Sequence, residues 1–294
     1  MNNAATVSGD SSPGGSVEVR AGDLRLALRA DLGASIAGLW HGRTPILRST
    51  EPGDLATARQ SACYPLVPYS NRLAYQRFHW LGRDYTTTTN FDDNPHSVHG
   101  VGWLRAWDVA VHRETDAVLR YRHVPDAHWP FAFEAQQSFT LTPRSLVVTL
   151  SITNTADIAQ PVGLGWHPYF PKRDRSHLRI AVSDRWESDA TQLPVRKVAQ
   201  PDIDAEVTGL RLDNCFDGWR GPAAISDGVF DLRLSSNLTH LVVYTPVDKP
   251  YFCVEPVSHV SDAIHGDSPA ALGLRTLLPG GTFESSMTLE VTAL

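Results

Sequence analysis

Short runs of alternating apolar and polar residues recur along almost the whole of this chain. Ser16 to Arg20 (SVEVR) and Leu24 to Ala30 (LRLALRA) open the series. WDVAVH (Trp107 to His112), VLRYRHV (Val118 to Val124) and SLVVTLSIT (Ser145 to Thr153) continue it, followed by HLRIAV, FDLRL, HLVVYT and MTLEVT. A period of two over such short runs puts one face of each in a core and the other in water, which predicts half-buried strands. Turn-forming pairs punctuate them: Pro125-Asp126, Asp217-Gly218, Asp227-Gly228 and Pro279-Gly280. No long amphipathic helical stretch appears, and Asp54 to Ala62 reads as one short helix. Prolines and glycines are spread evenly, with no repeat and no shift in composition to mark a boundary. The pattern predicts an all-β chain. Residues 16–294 form one large antiparallel β-sandwich with long loops, and residues 1–15 are a disordered lead-in. A TIM barrel and a doubly wound sheet both need helices that the pattern lacks, and no Gly-rich nucleotide fingerprint is present.

Charge and composition narrow the function. A net charge of −6 argues against a nucleic-acid partner, which calls for a basic face. No window has the apolar length of a membrane span. The first residues, MNNAATVSGDSSPGGS, lack the basic and apolar regions of a secretory signal. Cys63, Cys215 and Cys253 are odd in number and scattered, forming neither a disulfide framework nor a zinc spacing. A reducing, cytoplasmic setting is expected, with a small-molecule partner and a monomer or homodimer.

The candidate chemistry lies in three distant segments: His99-Gly100 in HSVHGVGW, His167-Pro168 in GLGWHPYF and Glu255-Pro256 in FCVEPVSH. Imidazoles titrate near neutrality and a carboxylate is a common partner base, so the three suit proton transfer if the fold brings them into one cleft. His167 among aromatics reads either as a general acid or as a core histidine bonded to a carbonyl. Glu255, at the end of an apolar strand closed by proline, is costly to bury unless paired or used, and desolvation there raises its pKa. His96 and His99 have a His-x-x-His spacing, but Pro95 and the glycines make that stretch a loop, and no metal is expected. Arg72, after Asn71, offers a planar donor fork for hydroxyl oxygens. Asp213 can accept two hydrogen bonds from vicinal hydroxyls, or form an Asx turn with Asn214. Trp103, Trp166 and Trp219 lie near these positions and could stack on a sugar ring or fill the core. Without a placed serine or cysteine nucleophile, proton transfer is favoured over acyl transfer.

In their order, YPLVPYSNRLAYQRFHWLGRDY, HSVHGVGWLRAWDV, GLGWHPYF, LDNCFDGW and CVEPVSHVSDA resemble the aldose 1-epimerase (mutarotase) family. The ending LLPGGTFESSMTLEV is similar to the family's closing turn and strand, and the resemblance runs from about Leu32 to the C-terminus. It implies a galactose mutarotase-like supersandwich that interconverts the α and β anomers of a free aldose without a cofactor. By motif, Glu255 looks like the general base, His167 the general acid and His99 the second histidine near the ring oxygen. Arg72 and Asp213, with Asn71, look like substrate-binding residues. Gly-Val-Gly-Trp after His99 and Pro168 after His167 depart from the galactose mutarotase pattern and look more like the bacterial, less-characterised branch. Two rivals share the fold: a hexose-6-phosphate mutarotase, for which Lys172, Arg173 and Arg175 could hold the phosphate, and a non-catalytic sugar-binding protein. A metal-dependent hydrolase lacks a ligand set.

Overall fold

The computed structural model describes residues 15–91 and 94–294; the lead-in expected over residues 1–15 lies, apart from Gly15, outside the described residues. Ser145–Asn154 buries every second side chain. Its neighbours Phe133–Thr142 and Thr282–Ala293 follow nearly the same rhythm. These three strands form the centre of a nine-stranded sheet. Its order is 108–112, 116–123, 133–142, 145–154, 282–293, 230–236, 223–226, 177–180, 203–206. Every neighbouring pair is antiparallel.

A second sheet of eight strands runs 194–199, 184–188, 213–217, 240–244, 251–257, 165–166, 65–66, with 169–171 paired to 251–257 beside the last two. A four-stranded sheet, from Ser16–Ala21 to Thr44–Pro45, adds Val17, Val19, Leu26 and Leu39 to the main buried cluster. Phe139, Val148, Leu150, Leu232 and Leu289 of the first large sheet share one buried cluster with Phe216, Leu241, Val243, Phe252 and Val254 of the second. Two sheets that bury their inner faces against each other make a β-sandwich, as the alternation predicts.

Two local expectations are corrected. Asp54 to Ala62 is not one helix but two 3₁₀ turns, Pro52–Asp54 and Ala58–Gln60. Pro52 starts the first, and extended residues at Leu55 and Thr57 separate them. The strand carrying Glu255 does not stop at Pro256; it runs Tyr251–Val257, with Pro256 opposite Leu241. Of the two readings open for Trp103, Trp166 and Trp219, burial of all three favours the core.

Phe139 is fully buried at the centre of the main cluster. Phe139→Ala should lower unfolding stability by about 3–5 kcal/mol, as large-to-small core changes do. Urea titration should show the midpoint falling with an unchanged slope; a loss below about 1 kcal/mol would mean that the two sheets do not rely on this contact.

Candidate active site

The strand Tyr251–Val257 has two chemically different faces. Phe252 and Val254 enter the main core, whereas Cys253 and Val257 join a separate buried cluster with Cys215, Val242 and Tyr169. Because side chains alternate, Tyr251, Cys253 and Glu255 share that second face. Register extends it sideways: Glu255 lies opposite Val242, and Val242 opposite Cys215; Cys253 lies opposite Tyr244, and Tyr244 opposite Asp213. Asp213, Val242, Tyr244, Tyr251 and Glu255 accordingly line one cleft of about 340 Å³, together with Arg72, His99, His167 and Tyr169.

On its other edge the same strand pairs with Tyr169–Pro171, Tyr169 opposite Cys253, and then with Gly165 opposite Val257. Between these contacts the ladder is interrupted. Carried across the gap, the register sets His167 opposite Glu255, and the side chains meet with Nε2 3.3 Å from Oε1. The gap falls at Pro168 and Pro256, which have no amide hydrogen to give a ladder. The His167 ring stacks on Tyr169, with centroids 4.5 Å apart, and lies 4.8 Å from the Tyr64 ring. Arg48 packs over Tyr169 from outside, 3.6 Å from its centroid. Nδ1 of His167 has no hydrogen-bond partner among the described residues.

Burial decides the charge state of this pair. Desolvation pushes Glu255 well above the usual carboxylate range; Asp213 adds to the rise and Arg72 opposes it. Desolvation drives His167 well below its ordinary value, helped by His99 and Arg48. Each neutral form is favoured because neither charge has water around it. Both shifts favour the uncharged pair, with the titratable proton on Glu255.

His99 and Asn71 form the opposite wall. Both adopt left-handed backbone, φ 64° and 57°, and Gly100 follows at 68°. They fix each other: the Asn71 amide donates to Nδ1 of His99 at 3.0 Å, and the His99 amide donates to the Asn71 carbonyl at 2.8 Å. Since Nδ1 accepts, the one proton of a neutral His99 is on Nε2. Desolvation, aided by Arg72 and Arg59, lowers its pKa to about 3. His99 is therefore a neutral donor. Gly100 is required here, because a Cβ would sit 2.4 Å from the Val67 carbonyl oxygen.

Asn71 Oδ1 accepts from the Arg72 amide and Nη1, each at 2.9 Å, and from Ser261 Oγ at 3.1 Å. That oxygen is engaged in holding Arg72. Arg72 is half-buried with Nε unpartnered among the described residues. Asp213 is exposed at the mouth yet closely ringed by protein; desolvation lifts its pKa against the pull of Arg72. Its backbone amide, not its carboxylate, meets Asn214, donating to Oδ1 at 3.4 Å, so the contact is not the Asx turn expected of Asp213.

Other expectations fall elsewhere. His96 does not pair with His99. Its Nδ1 accepts the Tyr75 amide at 3.0 Å and its Nε2 lies 3.1 Å from the Thr191 carbonyl. Lys172, Arg173 and Arg175 are not among the cleft-lining residues. Lys172 bonds the Pro246 carbonyl, and Arg173 bonds Asp227 and the Pro45 carbonyl. Lys249, Arg59, Phe91 and Tyr251 do line the cleft, and no sequence pattern singled them out. Alternation from Glu255 would have found Tyr251. His167, Cys253 and Glu255 bring one ligand atom each within 4.8 Å of one another. Desolvation raises the pKa of both the Cys253 thiol and the Glu255 carboxyl, so a cation bound there would have to displace their protons.

The large β-sandwich is the galactose mutarotase-like fold, and an open cleft with a buried imidazole–carboxyl pair at its base lies on it. The chain belongs to the aldose 1-epimerase family, whose sequence model matches residues 15–290. It is 34% identical over 290 residues to the uncharacterised protein YphB of Escherichia coli K12, covering 92% of this chain and 96% of that protein. A crystal structure of an unconfirmed aldose 1-epimerase from Escherichia coli K12 superposes with TM-score 0.86 at 31% identity, over 95% of this chain and 99% of that one. A galactose mutarotase-like protein from Clostridium acetobutylicum shares the fold, with TM-score 0.82 at 18% identity over 95% of each chain.

The titrations carry a sign. His99 and His259 are lowered by desolvation to about 3 and about 4, and His123 and His240 are lowered by the same cause. An unfolded chain protonates these four near pH 6.5 and the folded chain does not, so stability falls as pH drops below 6.5. In the His167–Glu255 pair the two shifts oppose each other, His167 acting with these four imidazoles and Glu255 against them. His265, raised by its bond to Asp262, acts above 6.5, and Asp213 acts in the opposite sense just above 3.8. The urea midpoint should therefore decrease from pH 7 to pH 5; a flat or rising midpoint would mean that these imidazoles are not buried neutral.

Proposed function

We propose that this protein is an aldose 1-epimerase that interconverts the α and β anomers of a free aldose by ring opening and reclosure. The observation that carries this reading is the 3.3 Å contact of His167 and Glu255 at the base of a cleft that also holds Arg72, His99 and Asp213. A sugar ring offers two oxygens for proton exchange, the anomeric hydroxyl and the ring oxygen. Ring opening takes the proton from one and gives a proton to the other.

The pair supplies both transfers with its single proton. The reactive form arises when the proton passes from Glu255 to His167 across their contact: the Glu255 carboxylate then removes the hydrogen of the anomeric hydroxyl while His167 protonates the ring oxygen. The electron pair of the C1–O5 bond goes to O5, and C1 becomes an aldehyde carbon. The proton count of the pair is unchanged, because Glu255 has gained what His167 gave. Rotation about C1–C2 presents the other carbonyl face, and reclosure returns both protons. The neutral Nε2–H of His99 donates to the ring-oxygen side and stabilises charge developing there. Arg72 and Asp213 hold hydroxyls, Asp213 as acceptor and Arg72 as donor, with Asn71 setting the arginine. No step calls for a cofactor.

The same reading gives the pH response of activity. Adding a second proton to the pair, or removing its only one, stops the exchange, so the rate profile should be bell-shaped with both limbs belonging to the pair. Polarimetry on freshly dissolved single-anomer aldoses, free and phosphorylated, tests the activity directly. Glu255→Gln and His167→Asn should each slow turnover by about 10²–10⁴-fold. Asp213→Asn should mainly raise KM. Near wild-type turnover by Glu255→Gln would remove the carboxylate from the mechanism. Tight sugar binding without catalysis by the wild type would favour the sugar-binding alternative, and turnover restricted to phosphorylated sugars the phosphate one. Chelator treatment and dialysis should leave the rate unchanged; a loss restored by zinc would bring the His167–Cys253–Glu255 trio back as a metal site.

A further inference from the structure

The strand that carries Glu255 leads, four residues later, into a stretch that grips the Arg72 segment bond by bond. The Ser70 amide donates to Nε2 of His259 at 3.1 Å. Ser261 Oγ donates to Asn71 Oδ1 at 3.1 Å, and the Asp262 amide donates to the Arg72 carbonyl at 3.0 Å. Asp262 Oδ1 accepts the Ala74 amide at 2.9 Å. His259 is the first of these grips and the most enclosed, 2% exposed. Its Nδ1 lies 2.7 Å from the Val260 carbonyl, which places its proton there and leaves Nε2 as an acceptor. The ring is seated over Gly163, where a Cβ would come within 2.3 Å of Nε2. Gly163 in turn donates its amide to the Pro68 carbonyl at 2.6 Å, on the same segment.

We infer that His259 is a positioning residue of the active site: by holding the Ser70 amide, it fixes Arg72 at a set distance from Glu255. The inference rests on the proposed role of Arg72 as a hydroxyl ligand. His259 does not line the cleft. It works through the backbone, so that one continuous stretch, Glu255 to Asp262, delivers the acid–base group and also locates the group that orients the sugar. A buried amide left without its acceptor is costly, and the segment it belongs to would shift to find water.

The test compares two substitutions. His259→Leu keeps bulk and removes the acceptor, whereas His259→Gln puts an amide oxygen close to the place of Nε2. For an accepted aldose, His259→Leu should raise KM on the order of tenfold with kcat within about threefold, the pattern of lost uniform binding. His259→Gln should recover most of that loss. In an Arg72→Ala background the leucine change should add little, because residues acting through one another are not additive. Should His259→Leu not fold, His259→Asn, whose shorter amide stops short of Ser70, takes its place. Hydrogen exchange gives a readout independent of catalysis: the peptide spanning residues 66–76 should exchange faster in the leucine variant, with Ser145–Asn154 unchanged. A wild-type KM in His259→Leu, equal losses in the leucine and glutamine variants, or full additivity with Arg72→Ala would overturn the inference. If the wild-type protein turned over no aldose, the proposed function would fail, and the exchange comparison alone would decide the role of His259.

Discussion

The antiparallel register between Tyr251–Val257 and the chain from Gly165 to Pro171 is the constraint on which the site depends. It places His167 across from Glu255, although 88 positions separate them in the sequence. The contact forms where the ladder is interrupted, and the two prolines there keep it so. A regular ladder would have set two flat neighbouring strands side by side. The interruption lets an imidazole lean over a carboxyl while the flanking pairs hold both backbones still. The two faces of the strand then divide the work: one closes the sandwich and the other carries the chemistry.

Electrostatics follows from that geometry. A buried carboxylate facing a buried imidazolium is expensive to desolvate, and a neutral pair sharing one proton avoids most of the cost. Asp213 and Arg72 act on Glu255 in opposite directions, Asp213 adding to the effect of burial and Arg72 favouring the carboxylate. Around the pair, the protein spends backbone strain. Asn71 and His99 each sit in a left-handed conformation, worth roughly 1–3 kcal/mol apiece. Their reciprocal hydrogen bonds, and the three donors on Asn71 Oδ1, offset that cost and leave His99 with a single allowed tautomer.

Much of the fold was legible in the sequence because half-buried strands leave a period of two. Ser145–Asn154 and Thr282–Ala293 show it plainly. The short helix expected near Asp54 failed because local composition cannot show that extended residues break the run into separate turns. The chemistry-bearing residues stood out for their Gly and Pro neighbours, and the structure gives those neighbours work. Gly100 admits the Val67 carbonyl, and Pro168 and Pro256 border the broken ladder. What the sequence does not show is sheet register, and so it hides whatever register assembles. Lys249 and Tyr251 reach the cleft from a loop and an adjacent strand position. His96, three residues from His99, turns to a backbone amide, because spacing along a loop says nothing about direction. The tryptophans are core for a simpler reason: large apolar rings are buried more often than they are displayed.

The two-faced strand limits how this protein can change. Replacing one residue of Tyr251–Val257 alters either the packing or the chemistry and leaves the other face where it was. Inserting or deleting one residue does something different, since a slip of one position exchanges the faces. Phe252 and Val254 would then turn into the cleft, and Glu255 would turn into the core among Leu241 and Val243. The reading frame of the site is thus the reading frame of the fold. Under the proposed activity, new sugar preferences would arise here by substitution, or by changes in the loops at the rim, whereas lengthening or shortening the strand beneath them by one residue would exchange its faces.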